Sequence, residues 1–325
     1  MHRMTRRDFG RLTIAGAPLL RAAWSSDGVA GAAGRKDADL HPQVGESRLR
    51  SGNRSLIGGV QFGLQPFCYH DLAMTPENRP TLIRRLVQNG FGVVELHATW
   101  VEPRVTDSGV GREEAREKQR AWRLSLPVDH YARVKREFDE AGITIFTYYV
   151  NINNTYTDAE IDAVFAGAKM LGARGCVGSQ GLAVSKRLAA FPGRHGMFLG
   201  IHNHANLSDP DAFNTEESFV KALAFSPDVK ATLDTRHFTA ANGDCLGFLE
   251  RHHERMSSVH LGDRRRNNGR SAPFGEGDAP ILEVLRMIRD NKWPIIALLE
   301  FEHGTLRPQV EEVQLMFDYC KRAVL

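Results

Sequence analysis

Four short apolar runs in the second half of the chain end in residues that can bind a metal or transfer a proton. The runs end, in chain order, in Ile201-His202-Asn203-His204, Leu233-Asp234-Thr235-Arg236-His237, Val259-His260-Leu261-Gly262-Asp263 and Leu299-Glu300-Phe301-Glu302-His303. One histidine after an apolar run is more often structural than a ligand, but four successive runs with such endings favour a shared site. Imidazoles and carboxylates brought together can hold a divalent cation and act as general acid and base.

The mixed nitrogen and oxygen donors narrow the choice of metal. They suit Mn²⁺, Zn²⁺, Co²⁺ or Fe²⁺ better than Ca²⁺, with Mg²⁺ also a candidate, so we expect one catalytic divalent ion of open identity. The cysteines show no CxxC spacing, which argues against a zinc knuckle or a redox pair. Buried free thiols are favoured, while a disulfide stays open. The cysteines are Cys68, Cys176, Cys245 and Cys320.

The runs that carry these residues are typical of strands in a parallel sheet. From Gly58 onward, apolar runs alternate with helical periodicity, and no GxGxxG phosphate loop follows a strand. This favours an α/β fold of the closed (β/α)8 TIM-barrel type, whose catalytic groups lie at the C-terminal ends of the strands. The predicted strands are Val60–Phe67, Gly92–Leu96, Thr144–Val150, Gly175–Gly178, Phe198–His202, Lys230–Asp234, Ser257–Leu261 and Ile295–Phe301.

Two connecting segments give further predictions. Thr157 with Glu160 three residues later predicts a capping box at the start of a helix. Ala98–Leu126 is a long, charged connection after the second strand. Its place predicts a lid over the barrel mouth whose shortening alters substrate affinity more than stability, and a solvated surface helix is the alternative.

The N-terminus has the pattern of an export signal. Arg6-Arg7-Asp8-Phe9 precedes an apolar stretch that is too short to span a bilayer. We predict a twin-arginine signal in residues 1–34, a flexible linker in 35–57, a catalytic barrel in 58–325 and a periplasmic location. A disordered basic tail is the alternative for the first segment.

Composition limits the partners. The 325-residue chain is 42% hydrophobic and 25% charged, with a net charge of +3, so it is a globular chain without the basic footprint of a nucleic-acid-binding protein. We expect a small-molecule substrate and no membrane span in the mature chain. Homo-oligomerisation is left open.

The chain resembles a known family in its second half. The runs LGIHNHAN, TLDTRHF, SVHLGDRRRNNG with PFGEGD, and LLEFEH are similar to those of the xylose-isomerase-like sugar phosphate isomerase/epimerase barrels. The most specific part is a DxxH followed by an HLxD, and the resemblance extends from Gly58 to Val324. It implies a metal held by Asp234, His260, Glu300 and a fifth-strand ligand, either His202 or His204.

The same resemblance implies the chemistry. The family abstracts a proton next to a sugar carbonyl. Here Glu300 or His204 is expected to be the base, and His237 is expected to contact the substrate or support the ligands. Glu95 in VVELHATW matches a position that faces substrate in relatives, with an ion pair on the barrel rim as the alternative.

Two departures from the family pattern bear on the reaction. His202 stands where ketose epimerases carry a glutamate that binds the metal and acts as acid/base, and Gly262 replaces a common lysine. Isomerisation or elimination is therefore favoured over epimerisation. An exported enzyme is expected to act on a free or oxidised sugar, so the alternative to an isomerase or epimerase is a lyase or hydratase that acts on a 3-keto-glycoside.

Two other classes remain as alternatives. A non-catalytic carbohydrate-binding barrel would keep the metal only as a structural clip, and the intact ligand set argues against it. A nuclease of the endonuclease IV type needs extra histidines on earlier strands, where His70 and His97 are the candidates.

Overall fold

Eight parallel strands close into a barrel in the computed structural model, which describes residues 54–103 and 111–325. The barrel closes where β8 pairs with β1 at Ala297 and Phe62, and where β1 pairs with β2 at Leu64 and Val94. The predicted (β/α)8 fold is confirmed. The strands are β1 (Val60–Leu64), β2 (Val93–His97), β3 (Thr144–Tyr149), β4 (Gly175–Gly178), β5 (Phe198–His202), β6 (Val229–Asp234), β7 (Met256–Leu261) and β8 (Ile296–Leu299).

Helices follow the strands and pack around the barrel. The α-helices are α1 (Arg79–Gln88), α2 (Arg112–Leu124), α3 (Val128–Glu140), α4 (Asp158–Met170), α5 (Leu182–Leu188), α6 (Pro192–His195), α7 (Glu216–Leu223), α8 (Thr235–Ala240), α9 (Cys245–His252), α10 (Ile281–Asp290) and α11 (Gln309–Val324). Within the described residues, short 3-10 helices occur at Pro66–Tyr69, Pro76–Asn78, Ala98–Trp100 and His253–Arg255. Two-residue strands occur at Leu56–Ile57, Asp263–Arg264 and Ser271–Ala272.

The first and last barrel strands end earlier than predicted. β1 ends at Leu64 instead of Phe67 because the Gln65 side chain accepts a hydrogen bond from the Phe67 amide and Pro66 begins a 3-10 helix. β8 ends at Leu299. Glu300 is therefore the first residue beyond its strand.

The alternation of side chains along the strands brings polar groups into the barrel. Val93 and Leu298 belong to a small apolar cluster that is separate from the main core between the strands and helices. Residues two apart on a strand share a face, so Glu95 and Glu300 face the same way as Val93 and Leu298. Glu95 is fully buried, although it carries a carboxylate. The barrel interior therefore changes from apolar to charged toward the C-terminal ends of the strands.

Only half of the predicted capping box forms. The Thr157 hydroxyl accepts a hydrogen bond from the Glu160 amide and caps α4. The Glu160 carboxylate does not reach back to Thr157; it forms ion pairs with Arg116 and Arg123 of α2 instead. A buried carboxylate gains more from two guanidinium groups than from one backbone amide.

The predicted lid segment contains α2, which these ion pairs attach to the barrel. Residues 104–110 of the segment lie outside the described structure. Arg123 also forms an ion pair with Glu102 at 2.6 Å, and Glu160 is fully buried. Removing one partner of a buried ion pair typically costs about 3–5 kcal/mol. Shortening this segment is therefore expected to reduce stability as well as change substrate affinity, contrary to the expectation from sequence.

Several sequence-based expectations concern the chain ends and the cysteines. The predicted export signal and most of the predicted linker lie outside the described residues, which begin at Arg54. The four cysteines are all buried free thiols, as favoured from the sequence. Within the described part of the chain, no helix combines the length and the apolar character needed to cross a bilayer.

Candidate metal and catalytic site

The four residues predicted to bind the metal come together at the C-terminal end of the barrel. They are His202, Asp234, His260 and Glu300, which end β5 and β6, lie within β7 and follow β8. One ligand atom from each lies within 4.8 Å of the others, and all four residues are buried. Among residues 54–103 and 111–325, no other group of three or more His, Cys, Asp or Glu has this geometry.

The spacing of these atoms fits a shared cation. His202 Nε2 lies 3.5 Å from Asp234 Oδ2 and 3.8 Å from Glu300 Oε2. Ligands placed about 2.1 Å from one tetrahedral ion lie roughly 3.4 Å apart. His202 Nε2 is also buried without a hydrogen-bond partner within the described structure. Buried polar atoms are nearly always paired, so a cation would satisfy this nitrogen.

The charges of the cluster depend on one another. Burial opposes the ionised carboxyl of Asp234, but Arg236 and the neighbouring histidines hold its pKa well below the usual range. Burial also opposes ionisation of Glu300, and His202 and His260 lower its pKa in the same way. Although burial opposes a charged imidazole, Glu95 and Glu300 raise the pKa of His260 to about 10. The carboxylates thus remain available to a cation, while the histidines must release protons to bind one.

A buried arginine beside the cluster was not predicted. The Arg236 guanidinium is 1% exposed, and its Nη2 lies 3.1 Å from Asp234 Oδ2 and 3.0 Å from His237 Nε2. Its Nη1 lies 2.7 Å from Glu302 Oε2. Arg236 therefore binds the carboxylate of Glu302, which is the further acidic residue of the LEFEH run. The sequence signal that could have identified Arg236 is its position directly after Asp234 and Thr235, at the end of a strand.

Glu95 is buried inside the barrel in contact with the cluster. Its Oε2 accepts a hydrogen bond of 2.8 Å from Thr147, and its Oε1 lies 3.1 Å from His260 Nε2. The residue is 0% exposed. The structure therefore places it inside the barrel against His260, and not in an ion pair on the solvent-exposed rim.

Ser179 connects three side chains of the site and was missed by the sequence analysis. Its hydroxyl lies 2.6 Å from Tyr149 OH, 3.0 Å from His202 Nδ1 and 2.9 Å from His204 Nε2. This hydroxyl fixes the orientation of the His202 ring. Ser179 directly follows β4, so the rule that selected the other strand ends could have found it.

His204 and His237 lie beside the four-residue cluster. Their ring centroids are 4.5 Å apart, and His204 lies 5.1 Å from His202. Burial lowers the pKa of His204 to about 4 and the pKa of His237 to about 3. Both imidazoles are therefore neutral near pH 7, and His204 is the more exposed of the two.

Two polar residues of the motif runs support the backbone. Asn203 is fully buried; its side chain accepts a hydrogen bond of 2.7 Å from the Asp234 amide and donates one of 3.1 Å to the Asp234 carbonyl. Asp263, the acid of the HLxD run, accepts backbone hydrogen bonds that organise the following loop. The donors are the amides of Arg264, Gly275, Gly277 and Ala279.

The two histidines considered for a nuclease centre do not join the cluster. The His70 ring packs against Phe301 at 5.3 Å, and the His97 ring stacks on Tyr149 at 5.0 Å. Neither belongs to the metal-binding group found in the described residues. Within the described residues, these histidines therefore do not supply the additional ligands that a trinuclear centre needs.

Comparisons with known proteins agree with this architecture. Residues 182–322 match the family model described as a xylose isomerase-like TIM barrel. No curated protein matches the chain by sequence. The C-terminal part that matches the model contains all four residues of the cluster.

Solved structures extend the likeness to most of the chain. A D-psicose 3-epimerase from Clostridium cellulolyticum H10 is 13% identical with a TM-score of 0.58, covering 81% of this chain and 99% of its own. A sugar phosphate isomerase/epimerase from Parabacteroides distasonis is 15% identical with a TM-score of 0.57, covering 80% and 95%. The probable 3-DHS dehydratase AsbF from Bacillus anthracis is 13% identical with a TM-score of 0.58, covering 79% and 97%. The chain is thus a (β/α)8 TIM barrel whose residues 182–322 are similar to the xylose isomerase-like TIM barrels.

Proposed function

We propose that the protein is a metal-dependent enzyme that removes a proton from the carbon next to a sugar carbonyl. The observation that carries the proposal is the buried set of four ligand atoms within 4.8 Å at the C-terminal end of the barrel. Catalytic groups in TIM barrels lie at this end. The similarity of residues 182–322 to xylose isomerase-like barrels supports the same chemistry.

The residues have separate roles in this proposal. His202, Asp234, His260 and Glu300 hold the divalent ion, which, when bound, supplies positive charge to polarise the carbonyl and stabilise the negative charge that forms. His204 is the base that we favour over Glu300. It is neutral near pH 7 and more exposed, whereas the Glu300 carboxylate is committed to two histidines.

The site favours elimination or isomerisation over epimerisation. Epimerisation needs proton transfer on both faces of one carbon. Glu302 is the other acidic residue beside the cluster that could serve the second face, but its carboxylate forms an ion pair with Arg236. His237, the other neutral imidazole, is held by Arg236 at its Nε2, so His204 is the free base. A single free base suits a reaction in which the proton leaves one face and a group is then lost or moved. The fold neighbours include proteins named as epimerases and one named as a probable dehydratase, so the fold is compatible with either outcome.

We favour a 3-keto-glycoside as substrate, which the predicted export would also suit. The base takes the proton from carbon 2. The electron pair of that C–H bond forms a double bond between carbon 2 and carbon 1. The bond from carbon 1 to the aglycone oxygen breaks, and its electron pair leaves with that oxygen, which is then protonated. The step requires no oxidant or reductant. Isomerisation of a free sugar is the second candidate because it uses the same first proton abstraction.

The proposal is tested by metal analysis of the purified protein together with a panel of substrates. We expect one divalent ion per chain, and release of the aglycone from 3-keto-glycosides or a carbonyl shift in free sugars. A chelator is expected to stop either reaction. A protein that binds sugars but converts none of them, with or without added metal, would instead be a carbohydrate-binding barrel.

Glu95 is proposed to orient the metal ligand His260. Its Oε1 is the charged atom 3.1 Å from His260 Nε2, and His260 Nδ1 lies on the other side of the ring, 2.7 Å from Glu300 Oε2 and facing the other three ligands. Supporting carboxylates of this kind typically contribute a factor of about 10–100 to metal affinity. Glu95→Gln keeps the shape of the side chain, so we expect metal affinity to fall by about that factor.

Competition with a chromophoric chelator measures this change. The exposed Glu283 of α10 provides the matched control, and Glu283→Gln is expected to leave affinity unchanged. Equal affinities for the Glu95→Gln variant and the unmodified protein would contradict the orienting role.

A further inference from the structure

The Ser179 hydroxyl has three polar neighbours and one proton to share among them. Its Oγ lies 2.6 Å from the Tyr149 hydroxyl, 3.0 Å from His202 Nδ1 and 2.9 Å from His204 Nε2. A serine hydroxyl can donate one hydrogen bond and accept two. The three contacts therefore use its whole capacity, and the direction of each contact constrains the other two.

The contact with His202 has a fixed direction when a metal is bound. His202 Nε2 faces the other ligands and lies 3.5 Å from Asp234 Oδ2. An imidazole nitrogen needs its free electron pair to bind a metal, so the ring proton of a neutral His202 must lie on Nδ1. This nitrogen therefore donates to Ser179 Oγ and takes one of its two acceptor positions.

The other two contacts allow two arrangements. In the first, Ser179 accepts from Tyr149 and donates to His204 Nε2, so the proton of a neutral His204 ring lies on Nδ1 and neither nitrogen has a free electron pair. In the second, His204 Nε2 donates to Ser179, and Ser179 donates to the Tyr149 oxygen. His204 Nδ1 then keeps a free electron pair, and it has no hydrogen-bond partner within the described residues. Only the second arrangement makes His204 a base.

Contacts outside the two histidine rings hold the serine and the tyrosine in place. The Ser179 amide donates a hydrogen bond of 2.9 Å to Asn151 Oδ1. The Tyr149 side chain is buried, and its ring stacks on His97 at 5.0 Å. The two hydroxyl groups thus have positions that do not depend on His204. A group held in this way can select the tautomer of a neighbouring imidazole.

We propose that Ser179 is a positioning residue that fixes the tautomers of both His202 and His204. Its oxygen accepts hydrogen bonds from the two rings, and the Tyr149 oxygen accepts the one that Ser179 donates. The inference rests on the proposed function for the role of His204 as base. It adds that His204 Nδ1 is the atom that takes the proton from the substrate carbon. The imidazolium that forms keeps its Nε2–H bond to Ser179, which the positive charge strengthens.

Two substitutions separate this role from a structural one in the full-length metal-loaded enzyme. Ser179→Ala removes the acceptor for both histidines, so metal affinity should fall by about 10–100-fold and kcat should fall with it. Tyr149→Phe keeps the ring and the Ser179 acceptor, so metal affinity should stay unchanged. It also frees the serine proton for His204 Nε2, and kcat should therefore fall by about two- to tenfold, the worth of one hydrogen bond.

A serine at the opposite end of the barrel provides the matched control. Ser226 is half-buried and precedes β6, and its hydroxyl accepts a hydrogen bond of 3.2 Å from the Asp228 amide. Ser226→Ala is expected to leave both metal affinity and kcat unchanged.

Nuclear magnetic resonance of the imidazole nitrogens reads the tautomer without any substrate. In the zinc-loaded protein, the His204 signals are identified by their loss in His204→Gln. We expect the His204 proton on Nε2 in the unmodified protein and a shift toward Nδ1 in Tyr149→Phe. If this pattern is found but no sugar is converted, the proposed function fails while the role of Ser179 stands.

Three results would overturn the inference. They are a His204 proton on Nδ1 in the unmodified protein, a tautomer that does not change in Tyr149→Phe, and an unchanged metal affinity in Ser179→Ala. Conversion of sugars together with any of these results would leave the proposed function in place, with Glu300 as the base.

Discussion

Replacing His260 by alanine is expected to abolish metal binding and turnover together. His260 is fully buried between Glu95, 3.1 Å from its Nε2, and Glu300, 2.7 Å from its Nδ1. Its removal takes away one ligand and leaves two buried carboxylates without their shared partner. Three protein ligands would remain, the usual number in catalytic zinc sites, but they would lose the buried imidazole that lies between Glu95 and Glu300. We expect metal below stoichiometric detection and kcat/KM reduced by at least about a thousandfold.

Stability must be measured beside activity in this experiment. Breaking a buried ion pair typically costs about 3–5 kcal/mol, so the variant is also expected to unfold at lower temperature. Circular dichroism shows whether the barrel persists at the assay temperature. His253→Ala is the control, because His253 precedes β7 at the opposite end of the barrel and stacks on Trp293. If a folded His260→Ala variant kept stoichiometric metal, the proposed role of His260 as a metal ligand would be contradicted.

The barrel and the convergence of polar residues at its C-terminal end could be predicted from sequence because both follow from short-range patterns, whereas the choice of ligands was implied by the resemblance to a family. Each barrel strand is an apolar run of a few residues, and polar residues at the C-terminal ends of such runs converge in any TIM barrel. His202, Asp234 and Glu300 were found in this way. The predicted C-terminal end of β1 was wrong. The Gln65 side chain and Pro66 start a 3-10 helix, so the strand ends before the apolar run in the sequence ends.

The supporting residues could not be assigned from sequence because their roles depend on distant partners. Glu95 follows the same pattern as the other polar residues near strand ends, yet its contact is with His260, a residue that is far from it in sequence. Glu160 satisfies the capping-box pattern, but two arginines of α2 compete for its carboxylate. Arg236 appeared as one more polar residue after a strand. Only the packed structure shows that its guanidinium binds Asp234 and Glu302.

Replacing His204 should separate chemistry from metal binding. His204 lies beside the cluster, with its Nε2 2.9 Å from Ser179, and is not part of the four-residue ligand group. General base catalysis typically contributes a factor of about 100–10,000, so we expect His204→Gln to lose activity within that range. Its metal content should match that of the unmodified protein. If activity survives in His204→Gln, Glu300 becomes the remaining candidate for the base.

Substrate labelled with deuterium next to the carbonyl decides which reaction follows proton abstraction. We expect the label to be released together with the aglycone from a 3-keto-glycoside, or to be lost with a carbonyl shift in a free sugar. The reason is that His204 can act on one face, whereas Glu302, the further acidic group, is paired with Arg236 at 2.7 Å. His204→Gln should slow release of the label and of the aglycone by the same factor, because both depend on the same proton transfer. Loss of label with inversion at that carbon, without cleavage or a carbonyl shift, would show an epimerase. In that case Glu302 would have to leave Arg236 to serve the second face, and Glu302→Gln would then stop the inversion.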